Sequence, residues 1–232
     1  MTHRTDIPAV EAVAEEPGAP LPVKPRLRGV LHQYAFFVSI AAGATLIALA
    51  PDGRARVAAA IYAFAVSGLL GTSALYHRVT WRPRARAWMR RLDHSMIFVL
   101  IAGTYTPFSL LALHGTLARA ILVVVWAGAF GGVVLKLVWI NAPKWLSAAV
   151  YVALGWVAVV AMPALADAIG PLAVALIVLG GLLYTAGAVI YASQRPNPAP
   201  AVFGYHEVFH TLVLAAAAAH FAVVAFYALP HG

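Results

Sequence analysis

PLAVALIVLGGLLYTAGAVIY, residues 171–191, carries no charged side chain and shows no alternation of polar with apolar positions. A hydrocarbon layer about 30 Å thick takes roughly 20 such residues as one helix, because a helix satisfies its own backbone groups where no water is present. Strands of a membrane barrel alternate over about ten residues, and this run does not. Six further stretches read the same way, near Val30 to Ala50, Val57 to Tyr76, Leu92 to Leu113, Leu117 to Val138, Trp145 to Leu165 and Glu207 to Leu229. The chain is predicted to be all-α, an integral membrane protein of seven transmembrane helices spanning residues 30–229.

Composition agrees with that class. Hydrophobic residues make up 62% of the 232 positions and charged residues 10%, more apolar surface than a soluble core of this size hides. Residues 1–29 hold Pro8, Pro17, Pro20, Pro22 and Pro25 among Glu11, Glu15 and Glu16. They read as a disordered tail without a signal-peptide core, and residues 230–232 as a short tail at the other end. With no cysteine in the chain, any metal site is built from His, Asp or Glu. No internal repeat and no second soluble domain is expected.

Cytoplasmic loops retain Lys and Arg. An inside N-terminus puts 13 of the 16 basic residues on the inner face and leaves only Arg54, Arg56 and Arg119 outside. Trp81, Trp88, Trp139 and Trp145 gather near the same boundary, as interfacial anchors do. The expected topology is therefore N-terminus cytoplasmic and C-terminus outside. This bias explains the net charge of +8 and leaves little for nucleic-acid binding. The Arg-rich segment from Arg78 to Arg91 is a place where anionic lipid head groups would gain about 1 kcal/mol per charge. Thirteen Arg against three Lys and abundant Ala suggest a GC-rich bacterial genome, hence a bacterial inner membrane.

On this map several polar residues fall at one depth. The second helix ends inside with Ser73 and His77, four residues apart and so on one face. The third begins inside with Asp93 and His94, and the seventh with His206, Glu207 and His210, the two histidines about 6 Å apart along the axis. Three imidazoles, His77, His206 and His210, suit Zn²⁺ with a fourth position open to water. Asp93 stands as the fourth ligand or as the general base orienting that water, and Ser73 as support for a ligand or a substrate oxygen. Glu207 reads as a solvated charge favoured by the helix dipole, or as a support of the ligands, and Lys136 as snorkelling to the inner interface. His220, about 15 Å beyond His210, is expected to hydrogen-bond within the bundle or near the outer interface.

The pattern Ser73-x-x-x-His77, the segment Leu92-Asp93-His94-Ser95 followed by Ile101-Ala102-Gly103-Thr104-Tyr105-Thr106-Pro107, and His206-x-x-x-His210 together resemble the signature of the hemolysin III family. That family is grouped with the progestin and adipoQ receptors, and more distantly with the alkaline ceramidases, in a superfamily of seven-helix membrane metal hydrolases. The resemblance covers residues 26 to 229. His94 stands where some relatives of the receptor branch carry another aromatic residue, which favours the bacterial branch and leaves His94 only a supporting candidate.

The resemblance implies zinc on His77, His206 and His210 near the cytoplasmic face, with Asp93 and Ser73 beside the zinc-activated water. It implies hydrolysis of a lipid amide or ester, ceramidase-like, with the acyl chain between the helices and a role in membrane lipid homeostasis. Membrane lipids are the expected partners. Gly131, Gly132, Gly180, Gly181 and Gly187 are expected to allow close helix approach, and Pro107 to kink the third helix. Two other classes stay open on sequence alone: a non-enzymatic zinc-stabilised lipid sensor, and a transporter or channel. A cytolytic role is disfavoured by the absence of an amphipathic soluble pattern.

Overall fold

The structure, a computed structural model, describes residues 24–51 and 53–231. Among them seven helices are long and apolar enough to cross a membrane: α1 Val30–Leu49, α2 Gly53–Arg78, α3 Pro83–Ala112, α4 Gly115–Val138, α5 Lys144–Ile169, α6 Pro171–Ser193 and α7 Tyr205–Ala228. The described residues contain no strand beyond one isolated bridge between Ala199 and Phe203. The surface is apolar, with Phe37, Phe64, Phe130, Val138 and Phe226 exposed, as lipid-facing side chains are.

α3 is the axis of the bundle. Of its most apolar window 72% is buried, against 17% for α1. It packs on α2, α4 and α5, while α6 lies along α7, and α7 reaches α1 to close the ring. Small residues set the spacing. At Gly103 an added Cβ would collide with Ala65 of α2, and at Gly132 of α4 with the ring of Phe98 on α3. Gly180 and Gly187 likewise face neighbouring side chains, but Gly131 meets nothing within 4 Å and Gly181 only Trp156 at 3.8 Å. Those two glycines do not bring helices together, contrary to the expectation.

Three of the described helices depart from regular α geometry, α7 only in its last turn, the π-helical Val224–Ala228. Pro107 has no N–H to give the preceding turn, and the chain beyond it widens into a π-helical turn, Phe108–Ala112. In α5 the α-helix ends at Gly155, continues as a 3₁₀ segment over Trp156–Ala161, and resumes at Met162 next to Pro163. The hydroxyl of Tyr105 fills this second break, donating to the Gly155 carbonyl at 2.6 Å and accepting from the Ala158 N–H at 2.6 Å.

Helix ends depart from expectation mainly at α3, which starts at Pro83 rather than Leu92. Proline is favoured at the first helical position, and Arg, Ala and Met sustain a helix without burial. Most of the expected N-terminal tail lies outside the described residues. Its last part, residues 24–29, is a turn held by backbone bonds from Arg26 to Ala201 at 3.0 Å and from Leu27 to Val202 at 3.1 Å. The expected tail at 230–232 begins within a final 3₁₀ turn, Leu229–His231. Lys136 does not snorkel outward. It is 1% exposed, donates to Ser147 and sits 5.9 Å above the ring of Tyr151, because that hydroxyl and aromatic face satisfy the ammonium inside the bundle.

Candidate metal centre

The ends of three helices meet a fourth, α3, at one end of the bundle. His77 comes from the last turn of α2, Asp93 from the N-terminal half of α3, His206 and His210 from the first turns of α7, and His32 from the first turn of α1. The approach of α1 depends on Gly29, which adopts φ 78° and lies so close to α2 that a Cβ would stand 2.6 Å from that of His77. A left-handed conformation and a bare Cα are both glycine properties.

The ligand atoms of His77, His206 and His210 all lie within 4.8 Å of one another. The Nε2 atoms of His77 and His206 are 3.1 Å apart, and the Asp93 carboxylate stands 3.9 Å from His77 Nε2. Two nitrogens on one zinc, each at about 2.0 to 2.1 Å, are at most about 4.2 Å apart, so small ring rotations bring the set onto a single ion. An all-imidazole donor set suits zinc among the metals that histidine binds.

The other candidates are placed differently. Ser73 is buried and its hydroxyl is 2.9 Å from His32 Nδ1, on the side of the cavity that Asp93 also lines. His94 turns away from the three imidazoles: its Nδ1 donates to the Arg90 carbonyl at 2.7 Å, and Nε2 accepts from the Tyr191 hydroxyl at 3.2 Å. Glu207 is not a solvated charge. It is 1% exposed and ion-paired with Arg28 at 2.5 Å, while its second oxygen accepts the Gly204 N–H at 2.8 Å. It therefore caps α7 and ties the chain before α1 to it, leaving it no role among the ligands.

A further histidine, His32, joins the cluster without a sequence pattern to mark it. Its ring stacks on that of His210, centroids 3.8 Å apart and planes at 13°, and its Nε2 is buried with no hydrogen-bond partner. As the third residue of α1, His32 lies at the same end of its helix in the membrane as His77 does in α2. What hides it is the lack of a second His, Asp or Glu four positions away to mark a shared face, since Arg28 precedes it and Phe36 follows.

From this cluster a cavity of about 130 Å³, mainly apolar in lining, extends into the bundle, where Thr104, Trp156, Tyr184 and His220 line it. A second cavity of about 50 Å³ shares Thr104, Trp156 and His220 with the first and continues to Ile121 and Leu165 beside the π turn of α3. His220 is bonded inside the bundle as expected, through Nε2 to the Ile177 carbonyl at 3.2 Å.

Comparison with known proteins covers the same helical region. The chain is 36% identical over 201 residues to a hemolysin-3 homolog of Bacillus subtilis, an alignment spanning 85% of this chain and 91% of that one. It is 33% identical over 192 residues to hemolysin-3 of Bacillus cereus, across 81% and 84% of the two chains. A more distant similarity, 25% over 197 residues and 82% and 78% of the two chains, is to the human monocyte to macrophage differentiation factor. The family description "Haemolysin-III related" matches residues 22–221, a span that takes in α1 to α6 whole, α7 as far as Phe221 and each histidine of the cluster, and the chain is an integral membrane protein belonging to the hemolysin III family.

Proposed function

We propose that this protein is a zinc-dependent hydrolase of lipid amide or ester bonds, acting at the cytoplasmic face of a bacterial inner membrane. The observation that carries the reading is the position of three imidazoles, with ligand atoms within 4.8 Å, at the end of an apolar cavity that also presents a carboxylate. A structural metal alone would need neither the cavity nor the carboxylate. The excess of basic residues at this end, including exposed Arg82, Arg84 and Arg86, supports its cytoplasmic placement. Partial burial and the neighbouring Arg78, Arg86 and Arg28 push the Lys24 ammonium below its ordinary pKa, the mark of a crowded positive surface suited to anionic head groups.

His77, His206 and His210 would hold the ion. When bound there, zinc supplies Lewis acidity towards an acyl carbonyl and a means of activating water near neutral pH. Asp93 acts as general base, taking a proton from the attacking water and returning it to the leaving amine or alkoxide. Ser73, oriented by His32, donates to the substrate's carbonyl oxygen. The cavity walls hold the acyl chain and keep bulk water from it.

The test is metal content by elemental mass spectrometry on detergent-purified protein, followed by a screen of lipid amides and esters. One zinc per chain, lost in His77→Ala, His206→Ala and His210→Ala, and turnover lost in Asp93→Ala are expected. Failure to take up zinc would sink the proposal. Zinc binding without hydrolysis of any lipid amide or ester would move the weight to a lipid sensor stabilised by its metal.

A further inference from the structure

We propose that the cavity holds a second polar station, formed by Tyr184 of α6 and His220 of α7, which receives a hydroxyl group set partway along a lipid chain. His220 lies ten residues beyond His210 on α7, about 15 Å deeper along the axis. Its Nε2 faces the Ile177 carbonyl at 3.2 Å. A carbonyl only accepts, so the ring proton sits on Nε2 and Nδ1 is left as an acceptor. That Nδ1 is buried without a partner, and so is the hydroxyl oxygen of Tyr184. The two rings are neighbours, centroids 5.6 Å apart, yet their unpaired atoms do not bond to each other, and both side chains line the cavity that begins at the histidine cluster.

Gly180 seats the pair, because any Cβ at that position would collide with the His220 imidazole. The ring is thus held by its Nε2 edge against bare α6 backbone. An acceptor nitrogen beside a phenol is matched by one functional group that both donates and accepts. An alcohol oxygen donates to Nδ1 and takes the Tyr184 proton. A plain methylene leaves both unmet, and a carbonyl oxygen leaves Nδ1 unmet, in a place where unpaired polar groups are costly. The chemistry is shared by a chain hydroxyl and a bound water. The depth of the station within an apolar cavity points to a hydroxylated acyl chain whose polar end lies at the histidines.

This inference rests on the reading of the cavity as an acyl-chain site, and the experiment separates the two. Affinities of purified wild type and Tyr184→Phe would be measured in detergent for stearic acid, for stearic acid bearing a mid-chain hydroxyl, and for the isomer hydroxylated beside the carboxyl group. On the order of tenfold tighter binding of the mid-chain hydroxy acid by wild type is expected, with the advantage lost in Tyr184→Phe and absent for the isomer. Equal affinity for all three acids in wild type would assign the station to water and overturn the proposal while leaving the acyl-chain cavity standing. Binding of none of them would overturn both.

Discussion

The imidazole of His32 lies flat against that of His210, ring centroids 3.8 Å apart, while its Nδ1 is 2.9 Å from the hydroxyl of Ser73. One side chain thus braces a candidate ligand and a candidate substrate contact together, from a helix that contributes no ligand. Residues that orient metal ligands typically contribute about 10- to 100-fold in affinity, so His32→Ala is expected to weaken zinc by that factor in competition with a chelator. His32→Phe, which keeps a ring to stack but not the bond to Ser73, is expected to retain most of the affinity. Unchanged affinity in His32→Ala would remove its positioning role.

The Arg28–Glu207 pair gives a stability prediction. Truncating Arg28 leaves a buried carboxylate with only the Gly204 N–H. Breaking a buried pair is costly, and the partial exposure of Arg28 reduces the effect, to about 2 kcal/mol. The double variant Arg28→Ala with Glu207→Ala is expected to recover part of it. Thermal unfolding in a single detergent reads both, and a double variant less stable than Arg28→Ala alone would contradict the pairing.

Adjacent glycines on α4 are expected to respond oppositely. Gly132→Ala drives a methyl group into Phe98 and should cost about 1–3 kcal/mol. Gly131→Ala enters open space and should be neutral or stabilise by up to about 1 kcal/mol, from helix propensity. Equal melting temperatures for the two variants would refute the packing of α4 on α3.

Tyr105→Phe removes the hydroxyl that bridges the broken turn of α5, leaving the Gly155 carbonyl and the Ala158 N–H without it. A loss of about 1–3 kcal/mol is expected, with faster hydrogen exchange at the Ala158 amide. Unaltered exchange there would mean that the break is stable without Tyr105.

How much of this was legible beforehand depended on range. Seven helices follow from composition and run length, because a bilayer forces each apolar stretch of about 20 residues into a self-satisfied helix whatever its neighbours do. The spacing of His206 and His210 and the charge bias of the loops place His77, Asp93 and the pair on α7 at a common depth. Depth is a property of a single helix, so sequence suffices for it.

Which residues at that depth face one another depends on how helices rotate and pack. Local pattern does not encode this where every face of a helix is apolar. Hence His94 at the expected depth turns to Tyr191, Glu207 pairs with Arg28 from a segment read as tail, and Lys136 finds Ser147 inside the bundle. His32 joins the cluster because Gly29 lets α1 lie against His77. The sequence by itself determined the class, the seven spans and the supply of imidazoles at one level of the membrane. Only the tertiary structure decided which of those side chains meet and where the cavity runs, because close packing between helices selects partners that are remote along the chain.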